Sequence, residues 1–145
     1  MTLAPEPGLV IRYDFLWQAD EATGAEYGLK DRPCVVILVS SPRDDNARDV
    51  IVCPISHTPP DAETPAVEIP YKVARYLRLD PGRMWITTRQ VNVFRWEDGR
   101  IPIGVTRPRK GAWAFGRLPR KLAEAAFEQV RRQSTLKQVA VIRRD

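Results

Sequence analysis

The sequence predicts a mainly β protein with added α-helix: a small, strongly bent antiparallel sheet or partial barrel with a helix near its C-terminal end. Three observations lead to this fold class. Five or six short apolar segments have the spacing of β-strands, turn residues separate them, and one stretch near the C-terminus has helical spacing. The 145 residues, 43% of them apolar, can bury a core of their own, so we expect a single domain over 1–145.

The first part of the chain predicts three strands in an antiparallel meander. The first, 9–17, alternates apolar and polar residues after an apolar start, which is typical of a half-buried strand. The second, 33–39, is apolar throughout, as a centrally buried strand would be, and the third, 49–55, follows a turn rich in proline, aspartate and asparagine. Between the first two, 18–31 is polar and contains two glycines, so we predict a long flexible loop with a binding role.

The middle of the chain predicts short elements separated by proline. Four prolines within 58–70 exclude a helix there and indicate an extended loop. The elements that we predict next are an edge strand at 66–69, a short helix at 71–77, and two β segments at 84–88 and 90–94. Arg89 lies at the junction of the last two segments.

The C-terminal third predicts one long helix. Residues 118–133 carry apolar side chains at helical spacing after a proline that suits the first helical turn. Before it, 100–116 mixes four cations with aromatic side chains, a composition that suits single-stranded nucleic acid as well as an ordinary loop folded on the core. The termini, 1–7 and 135–145, are predicted to be loose, although 138–142 could instead add a short edge strand.

Composition limits the classes of function. The formal net charge of +5 and a pI near 9.6 permit a nucleic-acid partner without requiring one. Cys34 and Cys53 lie in apolar strands without CxxC spacing, so they predict core residues of a reduced, cytoplasmic protein rather than a disulfide or zinc site. Neither a signal-peptide pattern nor an apolar run long enough to span a bilayer occurs, so we expect no membrane partner.

The common nucleotide-binding, zinc-hydrolase, serine-hydrolase and calcium motifs are absent from the sequence. With one histidine and no clustered carboxylates, we expect chemistry that uses arginine, hydroxyl and imidazole groups without a metal or other cofactor. RNA cleavage suits these groups, because the 2′-OH of the substrate attacks the adjacent phosphate while the protein supplies proton transfer and positive charge.

Two strand ends predict where these groups meet. Arg32 starts the second strand, where a rigid sheet can hold a guanidinium whose fork matches phosphate. Ser56 and His57 follow the third strand, where they could hydrogen-bond a phosphoryl oxygen and exchange protons near neutral pH. Ordinary explanations remain open: Arg32 could pair with Asp31, and Ser56 could bond the local backbone of a turn. Asp14, on the first strand, could likewise be solvent-facing or ion-paired.

Together these features resemble the PemK/MazF family of toxin endoribonucleases from bacterial toxin–antitoxin modules, and in particular its PemK-like branch. The matching segments occur in the family's order and cover 8–132. They are GLVIRYDF at 8–15, RPCVVI at 32–37, VCPISH at 52–57, LD at 79–80, WI at 85–86, QVN at 90–92 and GRLP at 116–119. The Arg-Pro strand start followed by the Pro-Ile-Ser strand end is the most specific of these matches.

The resemblance implies a fold, an activity and partners. It implies an SH3-like barrel with an appended helix, a homodimer, and metal-free cleavage of single-stranded RNA that a cognate antitoxin protein holds in check. The family's catalytic arginine corresponds to Arg32, and its strand-end hydroxyl, usually threonine, corresponds to Ser56, where serine keeps the hydroxyl. His57 matches no universal family position, and its catalytic role is our own inference: either His57 or Arg89 could act as proton donor or electrostatic aid.

Further side chains near these strand ends are predicted to bind the substrate. They are Arg12, Asp14, Lys30, Arg89, Gln90 and Asn92. The long loop at 58–70 and the insertion at 100–116 depart from shorter family members, so RNA sequence preference and dimer geometry are not implied. Two alternatives remain open on the same fold: a non-catalytic RNA-binding or regulatory module, and a protein-binding toxin like the related gyrase inhibitors.

Overall fold

The structure, a computed structural model, describes residues 3–28 and 30–144. Within these ranges lie nine strands and three helices. In chain order they are β1 (Leu9–Tyr13), α1 (Gln18–Ala22), β2 (Arg32–Val39), β3 (Ala47–Ser56), β4 (Ala66–Ile69), α2 (Tyr71–Tyr76), β5 (Met84–Thr87), β6 (Gln90–Glu97), β7 (Val105–Thr106), β8 (Gly116–Arg117), α3 (Arg120–Thr135) and β9 (Ala140–Arg144). The predicted fold class, mainly β with a C-terminal helix, is confirmed.

One sheet contains the nine described strands. Its main path runs β4, β5, β3, β2, β1, β7, while β6 joins β3, β9 joins β6, and β8 joins β1. The predicted meander is present as the antiparallel pairs β1 with β2 and β2 with β3. Among the strand pairs of the described residues, β6 with β9 is parallel and the others are antiparallel.

The sheet is apolar on both faces, and each face has its own core. On β2, Val35 packs with α2 and α3 into one cluster. Its neighbour Val36 packs into a second cluster around stacked aromatic rings, where the ring centroids of Tyr13 and Phe94 are 4.5 Å apart. Because successive strand residues point to opposite faces, the apolar run of β2 is buried on both sides, as the sequence predicted.

Two predictions near the N-terminus are wrong. β1 ends at Tyr13 rather than at position 17, because the N–H of Asp14 donates to the carbonyl of Gly104 at 3.0 Å and the N–H of Phe15 donates back to Tyr13 at 2.9 Å. The segment predicted as a loop at 18–31 begins with helix α1. No local signal predicted this helix, because no side chain caps its N-terminus.

The short middle elements are present close to their predicted bounds: β4, α2, β5 and the start of β6. Helix α3 begins at Arg120, two residues later than predicted, because Pro119 is extended at φ −53° and ψ 142°. The insertion at 100–116 contributes β7 and the first residue of β8 to the sheet. None of the helices in the described part of the chain is long and apolar enough to cross a membrane.

The C-terminal tail includes a strand. β9 pairs with β6, so the prediction of a loose terminus over 135–145 is wrong for this part, and the alternative of an added strand is confirmed with bounds moved by two residues. Ile142 is buried, and the N–H of Ala140 donates to the carbonyl of Arg89 at 2.8 Å. Apolar burial and main-chain hydrogen bonds therefore hold the tail on the sheet.

Candidate functional site

The candidate site lies where β3 changes its partner strand. Val52 of β3 pairs with Asn92 of β6, and Ile55 pairs with Ile86 of β5. Between these two pairs β3 has two residues and the opposite segment has five, so three residues of that segment bulge out of the ladder. Bulges redirect side chains and are common beside functional sites. This bulge carries Arg89.

A small cavity of about 130 Å³ lies at the bulge. The end of β3, the bulge itself, the 58–70 loop and a tryptophan after β1 form its walls. The lining residues are Trp17, Ser56, Thr58, Pro59, Thr64, Pro65, Thr87, Arg89 and Gln90. Among the described residues, neither a carboxylate nor an imidazole lines it, so the cavity combines a positive charge with hydroxyl and amide groups.

Arg32 lies beside this cavity on the face of the sheet that carries Ser56. Cys34 pairs with Pro54, and the same register continued by two residues sets Arg32 opposite Ser56. Residues opposite each other in a ladder share a face. The Arg32 guanidinium also lies 5.1 Å from the ring centroid of Trp17, which lines the cavity. The two strand ends therefore meet at one place.

The guanidinium of Arg32 retains an unused donor. Its Nε is buried and has no hydrogen-bond partner within the described residues. Asp31, the partner that the sequence allowed, instead accepts a hydrogen bond from the Thr106 hydroxyl at 2.9 Å and lies 4.0 Å from Arg12. A buried donor without an acceptor is unfavourable, and no acceptor among the described residues offsets this cost at Arg32.

Ser56 faces the cavity and also holds a local turn. Its Oγ accepts a hydrogen bond from the N–H of Thr58 at 3.3 Å, the backbone contact that the sequence allowed as an alternative. The residue is 8% exposed. This bond uses one lone pair of the hydroxyl and leaves its hydrogen free to donate. Ser56 can therefore donate to a phosphoryl oxygen while it keeps its turn contact.

His57 lies in a bend just after β3 ends at Ser56, and it is outside the cavity lining. Its Nδ1 lies 2.9 Å from the carbonyl oxygen of Arg83. Because a carbonyl only accepts, Nδ1 must carry a proton in this contact, and the ring is exposed. The predicted role of His57 in proton transfer gains no support from this placement, since His57 does not line the cavity in the described structure.

Arg89 is fixed by the C-terminal helix. Its Nε donates to Oε1 of Gln133 on α3 at 2.7 Å, and Nε2 of the same amide donates to the Thr88 hydroxyl at 2.8 Å. Gln133 and Thr88 are both buried, and the Thr88 hydroxyl also bonds to Gln129. A buried network whose donors and acceptors are paired is rigid. Helix α3 therefore sets the position of Arg89 in the cavity.

Three other predicted substrate-binding residues have accessible side chains. Gln90 lines the cavity, and its Oε1 accepts a hydrogen bond from the N–H of Gln18 at 2.7 Å, which anchors the start of α1. Lys30 is exposed, and the side chain of Arg12 is 43% exposed with Nη1 bonded to the carbonyl of Arg107. These two cations lie outside the cavity lining, where they could attract a phosphate backbone at longer range.

Asp14 and Asn92 have structural roles. Asn92 is fully buried, and its amide bonds to both the N–H and the carbonyl of Leu16 at 2.9 Å. Arg144 of β9 donates to Asn92 at 3.0 Å and to the Asp14 carboxylate at 3.1 Å. The prediction that Asn92 contacts the substrate is wrong, because its amide is buried and bonded to the backbone. Asp14 is ion-paired with Arg144, which was one of the two alternatives stated for it from the sequence.

The 58–70 loop was predicted from the sequence, but its place in the cavity lining was not. Asp61 holds its turn by accepting hydrogen bonds from the hydroxyl and the N–H of Thr64, each at 2.8 Å. These bonds, the one from the Thr64 hydroxyl first, hold the pKa of Asp61 below its ordinary value. An Asp-x-x-Thr turn shortly after a strand end was the available signal. Trp17 and Gln133 carried no local signal, because only the tertiary fold brings them to the site.

A larger hollow of about 1130 Å³ lies between α1 and the end of β6. Its arginines are engaged with carboxylates of the protein. The ion pairs are Arg43 with Asp49, Arg95 with Asp45, Arg100 with Glu97, Arg143 with Asp49, and Arg144 with Asp14. Charges that are already paired attract an anion less strongly, so the small cavity is the better candidate for binding phosphate.

The small cavity has the size and chemistry for one phosphoryl group. Its volume of about 130 Å³ corresponds to roughly four water molecules. The Arg89 guanidinium and the Ser56 hydroxyl belong to its lining and could donate to phosphoryl oxygens, and Arg32 adds a positive charge beside it. Within 3–28 and 30–144, no group of three or more His, Cys, Asp or Glu side chains is placed to hold a metal ion.

Comparison of the chain with protein-family models, with curated proteins and with solved structures gave no match. No family is assigned from these comparisons.

Proposed function

We propose that this protein is the toxin of a type II toxin–antitoxin module and acts as an endoribonuclease on single-stranded mRNA. The observation that supports this most is that Ser56 and Arg89 line one cavity of phosphoryl size and that Arg32 lies beside it, against Trp17 of the lining. The order of motifs shared with the PemK/MazF family supports the same activity.

The proposed reaction is an attack of the RNA 2′-OH on the adjacent phosphorus. A bond forms from the 2′ oxygen to phosphorus, and the bond from phosphorus to the 5′ oxygen breaks, which leaves a 2′,3′-cyclic phosphate and a 5′-hydroxyl. Arg32 and Arg89 stabilise the charge that gathers on the phosphoryl oxygens, and Ser56 orients one of them. Among the described residues no acid or base lines the cavity, so we assign the two proton transfers to water.

The proposal extends to location and partners. We place the protein in the cytoplasm, where mRNA is the substrate and where the two buried cysteines would remain free thiols. We further propose a homodimer and a cognate antitoxin protein, both of which the family resemblance implies. A gene immediately upstream that encodes a short protein with an acidic C-terminal half would support the antitoxin.

Cleavage of a long single-stranded RNA in the presence of EDTA tests the activity. We expect the wild type to cut, and the Arg32→Ala variant to cut at least about 100-fold more slowly, because it loses charge stabilisation of the transition state. Arg120→Ala is the matched control, since the Arg120 side chain is 91% exposed at the start of α3. Uncut RNA with wild type, or equal rates for wild type and Arg32→Ala, would refute the proposal.

A second candidate is an RNA-binding module without nuclease activity. The placement of His57 favours it, because the cavity then lacks an imidazole for proton transfer in the described structure. This candidate predicts that wild type binds single-stranded RNA and that binding weakens in Arg32→Ala, with no cleavage by either protein. The same assay therefore separates the two candidates.

A further inference from the structure

Helix α2 exposes two aromatic side chains. Tyr71 and Tyr76 are 74% and 78% exposed, although each is a large residue on a helix that packs against the core. The inner side of α2 carries Ala74 and Leu77, which are buried in the cluster beneath it. The two tyrosines are five positions apart, so they flank the exposed side of the helix with other outer residues between them. Large exposed aromatic residues on a polar surface can mark a site of interaction.

The remaining outer residues of α2 and its C-terminal turn are cations. Lys72, Arg75 and Arg78 are exposed, and none of the three forms an ion pair within the described residues. A favourable interaction with the helix dipole explains one cation near the end of α2, but it explains neither the others nor the tyrosines. We call Tyr71, Lys72, Arg75, Tyr76 and Arg78 the α2 patch.

The α2 patch lies at the end of the sheet that carries the cavity. Glu68 of β4 pairs with Trp85 of β5, and Trp85 pairs with Ser56 of β3, so the three form a row across the sheet. Neighbouring strands are about 4.8 Å apart, which sets Glu68 roughly 10 Å from Ser56. α2 begins at Tyr71, three residues after Glu68. Ser56, Trp85 and Glu68 alternate with the residues that pack under α2, so they face the opposite side of the sheet from this helix. An RNA strand would therefore pass around the edge strand β4 between the cavity and the α2 patch.

We propose that the α2 patch binds the single-stranded RNA that flanks the phosphate held in the cavity. Tyrosine rings offer flat faces on which bases stack, and unpaired cations between them suit a phosphate backbone. An acidic peptide would use the cations but would leave the two exposed rings without a planar partner. This inference rests on the proposed function for the identity of the substrate.

Binding of an RNA that cannot be cut tests the inference separately from catalysis. A fluorescent oligonucleotide of about 12 nucleotides, methylated at every 2′ oxygen, keeps its bases and phosphates but lacks the nucleophile. We expect the double variant Tyr71→Ala/Tyr76→Ala to raise Kd by at least about tenfold, as the loss of base stacking predicts. Tyr27→Ala, which removes a tyrosine that is 69% exposed elsewhere, should leave Kd unchanged.

The cations of the α2 patch are tested by the salt dependence of RNA binding. Replacing Lys72 and Arg75 with glutamine should reduce the slope of log K against log salt by about 0.7 for each cation lost. Lys121→Gln, an exposed position on α3, should leave the slope unchanged. Thermal unfolding of each variant establishes that it folds, which the exposure of these side chains leads us to expect.

The outcomes separate this inference from the proposed function. If the α2 variants bind RNA as tightly as wild type, or if wild type does not bind it, the inference fails. If the variants lose affinity only for a labelled peptide of glutamate residues, the patch serves a protein partner and the inference also fails. If wild type binds RNA through the α2 patch but cuts none, the nuclease proposal fails and the inference stands.

Discussion

Ser56 and His57 are neighbours in the chain but have different surroundings, because β3 ends at Ser56 and His57 lies in the bend that follows. Ser56 lines the cavity, whereas His57 bonds to the carbonyl of Arg83 outside it. We expect Ser56→Ala to lower the rate of RNA cleavage by about 100-fold, because one donor to the phosphoryl oxygens is lost. Ser56→Thr should retain most activity, since it keeps the hydroxyl.

The matched substitution at the next position is expected to behave differently. His57→Gln should leave the cleavage rate and its dependence on pH unchanged, because the imidazole is not in the cavity. Rates measured across the neutral pH range for wild type, Ser56→Ala and His57→Gln test both statements. A large loss of rate in His57→Gln, with loss of a titration near neutral pH, would restore His57 as a proton-transfer group.

At this scale the sequence predicted the residues whose position depends on one strand and its neighbour. Arg32 and Ser56 stand at the facing ends of two adjacent strands, so the meander alone brings them together. The surroundings of His57 and Asn92 depend instead on contacts with distant segments. His57 contacts the carbonyl of Arg83, and Asn92 is buried against Leu16 and Arg144 of β9, and neither contact could be located from local pattern.

Helix α3 is the element that couples the C-terminal region to the cavity. Gln133 contacts Arg89 and Thr88, whereas Gln129 contacts the Thr88 hydroxyl. We expect Gln133→Leu to lower stability by about 1–3 kcal/mol, because buried donors and acceptors lose their partner. It should also lower kcat/KM for RNA, because Arg89 loses the acceptor that orients it.

Gln129→Leu is the control for a purely structural effect. It removes a partner of Thr88 and leaves the bond from Arg89 to Gln133, so stability should fall while kcat/KM is retained. Gln133→Glu keeps an acceptor for Arg89 and should retain more activity than Gln133→Leu. Chemical unfolding and cleavage kinetics on the same samples give both readouts. Equal kcat/KM for folded Gln133→Leu and wild type would contradict the coupling.

Elements that form from local signals were predicted more accurately than those that form by long-range pairing. The edge strand β4 and the helix α2 follow from proline and turn residues close to them in sequence. β9 is held by parallel pairing with β6, and the paired residues are 50 positions apart in the chain, so this pairing leaves little local signal. The termini therefore could not be assigned from composition alone.

The whole molecule has two cores that share one sheet, and each contains a buried thiol. Cys53 lies in the cluster under α2 and α3, and Cys34 lies in the cluster around the aromatic rings. Burial raises the pKa of both thiols above their ordinary value of 9.0. Burial likewise raises the pKa of the Tyr13 hydroxyl. Both cores therefore oppose ionisation of these groups in the folded state.

The direction of the resulting pH dependence follows from where protons are lost. Above about pH 9 the thiols of the unfolded chain ionise while those of the folded chain stay protonated, so the unfolded state is favoured. Below that pH the thiols are protonated in both states, so the folded state keeps its full stability with respect to these groups. We expect the free energy of unfolding to fall by about 1.4 kcal/mol per thiol for each pH unit above the ordinary thiol pKa.

Thiol labelling shows whether the two cores open together. In the native protein at about pH 8, both cysteines should resist a thiol-specific disulfide reagent, because each is buried and protonated. As denaturant is added, Cys34 and Cys53 should become reactive at one midpoint, which the variants Cys53→Ala and Cys34→Ala report separately. Because β2 and β3 contribute side chains to both clusters, opening one core exposes the sheet that supports the other. Rapid labelling of one thiol in the folded protein would show instead that its core opens independently.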